Sequence, residues 1–306
     1  MAGVGSAQDD GIAMLSVIWT PTYTGTPPHY RQMPLVVGPQ DRLMIHCWEP
    51  TSRLPSAPVV LLLHGIGMHG APYGAVAREF TDRGLVLLAP DLRGHGQSTG
   101  LRGSLPEVEV FQADLLRILD FIAAEWPGAP VVLMGESMGG LLAATLAVDA
   151  QSRLAGLALL VPAFQVHRSR FMAPVSVSRL FTQGLIPIVA DCHLTPATRD
   201  PRFVESRLKD PLTLQEVNPA YLLRLFWLSQ RWPASARQLQ LPLFVGLAEK
   251  DCIVDNAAAQ RVLEKASSPI KDLRLWPEAY HTVFWDPVLP TLMTDFDVWL
   301  KQRVCR

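Results

Sequence analysis

The chain has 306 residues, 49% hydrophobic and 18% charged, with a net charge of −1. That length allows two average domains or one large α/β domain with an insertion, and it buries a sizeable core either way. The near-neutral balance carries neither the basic footprint of a nucleic-acid binder nor a disordered acidic tail, so the expected partner is a small or apolar molecule and not a nucleic acid.

In chain order, the first forty residues hold five prolines and no clear period, which predicts an irregular arm followed by a first core strand at "RLMIHCW". "PVVLLLHG", "LVLLAP" and "PVVLMG" are continuous apolar runs, the pattern of strands buried on both faces. Amphipathic stretches separate them at Tyr73 to Asp82 and Val108 to Glu125, the latter with Leu115, Leu116, Leu119 and Ile122 at helical spacing. Strand and helix in alternation mean a parallel sheet wrapped by helices. The rhythm continues through a helix from Met138 to Asp149 and the strand "GLALLVP". It then breaks over Gln165 to Arg231, a proline-containing, mainly helical insertion. It resumes with "LPLFVGL", a helix from Asn256 to Ala266, "DLRLWP" and a closing helix from Val288 to Gln302.

The four cysteines, Cys47, Cys192, Cys252 and Cys305, show no CxxC spacing and read as reduced thiols without a metal site. Asp9 and Asp10 stand where a secretory signal would carry Lys or Arg, and the longest nearly apolar segment, Leu154 to Phe164, is too short to span a bilayer. A cytoplasmic protein is expected, with attachment to a lipid surface left open.

Gly135-Glu136-Ser137-Met138-Gly139 fits G-x-S-x-G and falls between a predicted strand and a predicted helix, where such a turn exposes a serine hydroxyl above a sheet. A serine needs a base and an orienting carboxylate, following it in the order Ser, acid, His. After Ser137 the chain has three histidines. His167 and His193 fall in the insertion, whereas His281 lies in "PEAYHTVF", between the last strand and the last helix. "LPLFVGLAEKDCIVD" ends a buried strand and offers Glu249, Asp251 and Asp255. Asp251 sits at the loop tip, where it can hold the His281 tautomer, while Asp255 before Asn256 reads as a helix cap. An oxyanion would be held by the backbone N–H of Met138 and by that of Ile66 in "LLLHGIGMHG".

"HGIG", "DLRGHGQSTG", "GESMGG", "KDPL", "AEKD" and "AYHTVF", in this order, resemble the monoacylglycerol lipase and lysophospholipase branch of the α/β-hydrolases, over roughly Gln40 to Val304. The resemblance implies an α/β fold with a mostly parallel central sheet flanked by helices and a helical cap inserted after the sixth strand. The implied division is an arm at residues 1–39, a core at 40–161 and 233–306, and a cap at 162–232. It makes Ser137 the nucleophile, Asp251 the acid, His281 the base and Ile66 and Met138 the oxyanion donors, with no cofactor and no metal. Arg93 and His95 are assigned to loop order.

The substrate is expected to be an ester or lipid with an apolar acyl chain, touched by Met68, Phe164, Leu185, Ile186, Phe226 and Val283. Further cap residues, Phe171, Met172, Phe181, Leu225 and Trp227, are candidates for the same pocket. Contact between the cap segment Leu180 to Ala190 and a membrane is compatible with the resemblance, and a homodimer is left open. The chain departs from the family at two places. Where relatives read HGxGEHxxRY it has "HGIGMHGAPY", so Met68 and Pro72 replace two residues that hold a polar head group. Glu136 stands where many relatives have His. Acyl transfer to an alcohol or amine would use the same triad, and a non-catalytic ligand-binding protein on this fold is a third class, disfavoured by the complete triad.

Overall fold

The computed structural model describes residues 28–52, 57–167, 186–187 and 197–304. One sheet organises them. Its strands are β1 (His29–Val36), β2 (Arg42–Glu49), β3 (Val59–Leu63), β4 (Val86–Pro90), β5 (Val131–Glu136), β6 (Gly156–Leu160), β7 (Leu243–Ala248) and β8 (Lys271–Trp276), ordered β1-β2-β4-β3-β5-β6-β7-β8. β2 runs antiparallel to both its neighbours and every other pairing is parallel. This is the mostly parallel α/β-hydrolase sheet that the resemblance implies.

Every residue of β3 to β7 is buried, because helices cover both faces and leave no position for an alternating polar residue. The helices are α1 (Ala77–Thr81), α2 (Val108–Glu125), α3 (Met138–Ala150), α4 (Pro201–Lys209), α5 (Pro219–Ser235), α6 (Asn256–Lys265) and α7 (Leu289–Trp299). On one face α2 and α3 bury Phe111, Leu115, Ile118 and Leu142 against the sheet. On the other, Phe244 of β7 meets Phe296 and Trp299 of α7 at ring separations of 5.9 and 5.6 Å. In α2 the buried stripe passes through Ile118, while Leu116 faces solvent.

Three boundaries differ from the sequence reading. The irregular arm expected over residues 1–39 contains strand β1, paired with β2 in register from His29 opposite Glu49 to Val36 opposite Arg42. Pro34 argued against a strand, but β1 is the sheet edge, where a missing N–H costs no ladder bond. Its exposed and half-buried positions leave no apolar run to recognise. The cap boundary at Trp232 falls inside α5, whose Trp232 stacks on Phe164 with centroids 5.5 Å apart. The closing helix begins at Leu289 and ends in a π turn over Leu300–Val304.

Between β6 and β7, α4 and α5 start the same way. Asp200 accepts the N–H of Arg202 ahead of Pro201, and Asn218 accepts the N–H of Tyr221 ahead of Pro219. A side-chain acceptor followed by proline satisfies an orphan donor and pre-sets the first helical φ. Ile186–Pro187 forms a two-residue antiparallel ladder with Glu216–Val217. No helix among the described residues is long and apolar enough to cross a membrane.

Just beyond β4, Asp91 is fully buried. It accepts the N–H groups of Gly70 at 2.7 Å and Gln97 at 2.8 Å, and His46 Nε2 of β2 lies 3.2 Å away. The hydroxyl of Tyr30 bonds the other nitrogen of His46 at 2.8 Å. His69 is drawn in by Asp210 at 2.6 Å. His46, His69 and Asp91 bring three ligand-type atoms within 4.8 Å; both Asp91 oxygens already accept backbone N–H groups, and one nitrogen of each ring is engaged, His46 Nδ1 by Tyr30 and His69 Nε2 by Asp210. Asp91 therefore acts as a hydrogen-bonded post that fixes two loops to the sheet, its own N–H donating to Met44 O of β2.

Burial works against ionising Asp91, yet the contacts from His46, His69 and Gln97 prevail and pull its carboxyl down to about 2 from the ordinary 3.8. With the folded value depressed, the stabilisation is complete above the unfolded value and is lost as pH falls from near 4 toward 2. Asp91→Asn is expected to lower unfolding free energy at pH 7 by about 2 kcal/mol, measured by urea denaturation. The gap from the wild type should close as pH falls through that window. An equal gap at pH 7 and pH 3 would contradict this role.

Candidate active site

The site begins where β5 ends. Ser137 has φ 56° and ψ −116°, a backbone region in which a side chain is strained. The turn is held by the Ser137 N–H donating to Leu160 O at 2.9 Å and by the Ser137 carbonyl accepting from Ala163 N at 3.0 Å and Leu141 N at 3.2 Å. Its flanking glycines are required by contact. A Cβ on Gly139 would overlap the Leu63 carbonyl, and one on Gly135 would overlap the backbone of Gly139. Ser137 precedes α3, whose first N–H groups lack intrahelical acceptors and face any negative charge formed beside it.

His281 lies between β8 and the 3₁₀ turn Val283–Trp285. Its Nε2 is 2.8 Å from Ser137 Oγ, and its Nδ1 is 2.7 Å from Asp251 Oδ2. Asp251 follows β7; its other oxygen accepts the N–H groups of Ile253 at 2.8 Å and Val254 at 3.0 Å, which aims the carboxylate. The neighbouring acids are engaged elsewhere. Glu249 accepts the Glu278 N–H, and Asp255 caps α6 through the Ala257 N–H. Burial lowers the basicity of His281, but Asp251, by charge and hydrogen bond, and Glu136, by charge, outweigh it, so its pKa is raised above 6.5. With Asp251 bound at Nδ1, the neutral ring carries its proton there and presents Nε2 as an acceptor to the serine hydroxyl.

The loop after β3 lies alongside. His64 is held below ordinary imidazole basicity, at about 3, chiefly by burial. Neutral, it accepts the Leu92 N–H at Nε2 and donates from Nδ1 to Gly65 O. It therefore ties the loop down and stays out of the chemistry. Ile66 and Met138 line one cavity with Ser137. His95 and Arg93 order their own loop. His95 contacts the Tyr221 hydroxyl at 2.9 Å, and Arg93 forks onto Asp114 at 2.9 and 2.7 Å and pairs with Asp41.

The cavity has a volume of about 470 Å³ and runs from Ser137 between Leu141 and the α5 residues Leu222, Leu225 and Phe226. Gln165, Ser229 and Gln230 lie along its wall as well and also border a smaller polar cleft. Of the residues expected to touch substrate, Phe226 lines this cavity. Phe164 does not: it stacks on Trp232. Met68 and Val283 are buried in the opposite apolar cluster, with Phe80 and Phe284, because their loops turn these side chains under the sheet. Leu185, Phe171, Met172 and Phe181 lie outside the described residues, as do Cys192, His193 and Cys305, and Ile186 is described only through its backbone ladder. Trp227 points outward, 57% exposed. Leu222, Leu225, Phe226 and Ser229 share one helical face at i, i+3, i+4 and i+7, so the period that marks α5 also marked the cavity wall.

The described residues between β6 and β7 are laced to this loop and to the elbow. Leu214 N–H donates to Gly67 O at 2.8 Å, Arg207 reaches Ile66 O at 3.5 Å, and the Tyr221 hydroxyl lies 2.9 Å from Met138 Sδ. Acyl transfer is the chemistry such an arrangement can perform, because an oriented base at a strained serine opens into a mostly apolar cavity that Ile66 and Met138 also line.

The chain is similar to the monoacylglycerol lipase of Mycolicibacterium smegmatis, 28% identical over 265 residues that cover 86% of this chain and 94% of the relative. It is 26% identical to the monoglyceride lipase of Homo sapiens, over 90% of this chain and 92% of that one. Its fold matches the crystal structure of a soluble variant of monoglyceride lipase from Saccharomyces cerevisiae in complex with a substrate analog, with a TM-score of 0.78, 18% identity and coverage of 94% and 99% of the two chains. The family Hydrolase_4, described as serine aminopeptidase, S33, matches residues 55–288, and the chain belongs to this family of α/β hydrolases.

Proposed function

We propose that the protein hydrolyses carboxylic esters of apolar acyl chains through an acyl-enzyme on Ser137. Ester hydrolysis as such accords with its family and with its likeness to monoacylglycerol lipases along most of the chain. The observation that carries the finer reading is the continuous relay Ser137, His281, Asp251, at 2.8 and 2.7 Å, opening into the apolar cavity.

In the first step Ser137 Oγ attacks the carbonyl carbon while its proton passes to His281 Nε2. The resulting oxyanion takes hydrogen bonds from the N–H groups of Ile66 and Met138, and Asp251 steadies the imidazolium. Collapse breaks the ester C–O bond, and His281 returns the proton to the leaving alcohol. Water then attacks the acyl-serine with His281 as base, releasing the acid and restoring Ser137.

The acyl chain occupies the cavity along Leu141, Leu222, Leu225 and Phe226, where its gain is apolar area removed from water. On the alcohol side, Met68 is buried away from the cavity and Pro72 offers no side-chain donor, so the leaving group is less polar than glycerol. α5, from the stretch read as a cap, forms one wall along the acyl chain.

Ser137→Ala is expected to reduce kcat on a panel of p-nitrophenyl esters by about 10⁴-fold or more, and Asp251→Asn by several hundred-fold or more. Undiminished turnover by Ser137→Ala would remove the nucleophile assignment. Within that panel kcat/KM should rise by up to about fourfold per added methylene, the effect of roughly 0.8 kcal/mol per buried CH₂, until the cavity is full. Leu225→Trp should move the optimum to shorter chains; an unshifted profile would place the acyl group elsewhere.

A further inference from the structure

Glu136, inside the elbow, has no part in the acyl-transfer steps, yet it is buried beside them. Its Oε2 accepts the Tyr73 hydroxyl at 2.7 Å, and its Oε1 is buried with no hydrogen-bond partner among the described residues. A carboxyl group with one unmet oxygen is an expensive tenant of an interior, and an apolar or amide side chain would avoid the charge. Tyr73 is also fully buried, and it stands in the 3₁₀ turn that continues the loop carrying Ile66, its N–H donating to Gly70 O at 3.1 Å. Elbow and oxyanion loop are thus joined through one hydroxyl.

The charged and titratable groups facing Glu136 are Tyr73 from the 3₁₀ turn Ala71–Ala75, His281 from the loop after β8, and Arg207 from α4. His281 itself faces Asp251, Glu136 and the Ser137 hydroxyl.

We propose that Glu136 is a positioning residue of the reaction: through Tyr73 it ties the elbow to the oxyanion loop, and its carboxylate sets a second negative charge, besides that of Asp251, against the imidazolium of His281. The inference rests on the assignment of Ser137 and His281 made above. Glu136 acts through His281 and Tyr73, not on the substrate. Burial pushes Glu136 up to about 7, opposed by the Tyr73 hydroxyl, His281 and Arg207. The active form, with Glu136 ionised and His281 neutral, is therefore lost in a coupled titration as pH falls through neutrality.

Two variants should move the pH profile in opposite directions. Glu136→Gln keeps the size of the side chain and an acceptor for Tyr73 but removes the charge. His281 then loses a group that raises its pKa, so the acid limb of kcat/KM should shift down by about half a pH unit or more and the plateau kcat should fall by about threefold to tenfold. Tyr73→Phe removes the donor that favours the ionised carboxyl, so Glu136 holds its proton to higher pH and the limb should shift up. A purely structural role would lower activity in both variants without displacing the limb. An unmoved limb in Glu136→Gln, or displacement of both variants in the same direction, would overturn the proposal.

Labelling with a fluorophosphonate separates this from the underlying assignment. Wild type and Glu136→Gln should both be labelled at Ser137 to full stoichiometry, with circular dichroism confirming that each variant is folded. An unlabelled wild type would overturn the assignment of Ser137 and this proposal with it, whereas a labelled wild type with an unmoved limb would overturn this proposal alone.

Discussion

The α-carbon of Gly139 packs against the carbonyl of Leu63, closer than any Cβ would permit, and much of the molecule is arranged around that contact. It joins the start of α3 to the end of β3, so that the turn between β5 and α3 must reverse within a single residue. Ser137 takes up the reversal with a positive φ, at a cost of about 1 to 3 kcal/mol for a residue with a side chain. The parallel pairing of β5 with β3 on one side and β6 on the other supplies the frame that holds it there. Because those strands are buried on both faces, the frame cannot relax toward solvent. The strained residue is thereby presented at the one end of the sheet where loops from β3, β7 and β8 converge.

The same convergence joins the stretch between β6 and β7 to the loops around Ser137. Leu214 bonds Gly67, Asp210 bonds His69, Arg207 reaches Ile66, and Tyr221 meets both His95 and Met138. Two of these contacts fall on the residues proposed to stabilise the oxyanion, Ile66 and Met138, and a third on Gly67 beside Ile66. A movement of α4 or α5 would therefore change cavity width and oxyanion geometry together. Beneath the loop, Asp91 holds Gly70 and Gln97, so the donor side of the site rests on a buried carboxylate while the base side rests on Asp251.

The sheet was legible from sequence where burial on two faces forces apolar runs, as in "VVLLL" and "LFVGLA". It was illegible at β1, an edge strand with no such requirement. The elbow could be located because its glycines are demanded by backbone contact, and Asp251, the partner of His281, could be separated from Glu249 and Asp255 by its place at a loop tip. Side-chain direction within loops leaves no comparable mark: Met68 and Val283 were expected in the pocket, but the chain turns them under the sheet. The cavity wall of α5 shows the same limit. Leu222, Leu225 and Phe226 follow the period of any amphipathic helix, and only packing against Leu141 and Ser137 distinguishes a pocket face from a core face. Glu136 stood out only as a departure from relatives, and its tie to Tyr73 spans parts of the chain that no local pattern connects.

The central claim is that Ser137 carries the acyl group between two half-reactions. Mixing the enzyme with a slowly deacylating p-nitrophenyl ester, quenching in acid within the first turnover and mapping peptides by mass spectrometry tests it directly. The account predicts one acyl group per chain, on the peptide containing Ser137, together with a burst of one equivalent of p-nitrophenol. A burst with the acyl group on another residue, or steady turnover with no covalent adduct under conditions that trap one, would contradict it.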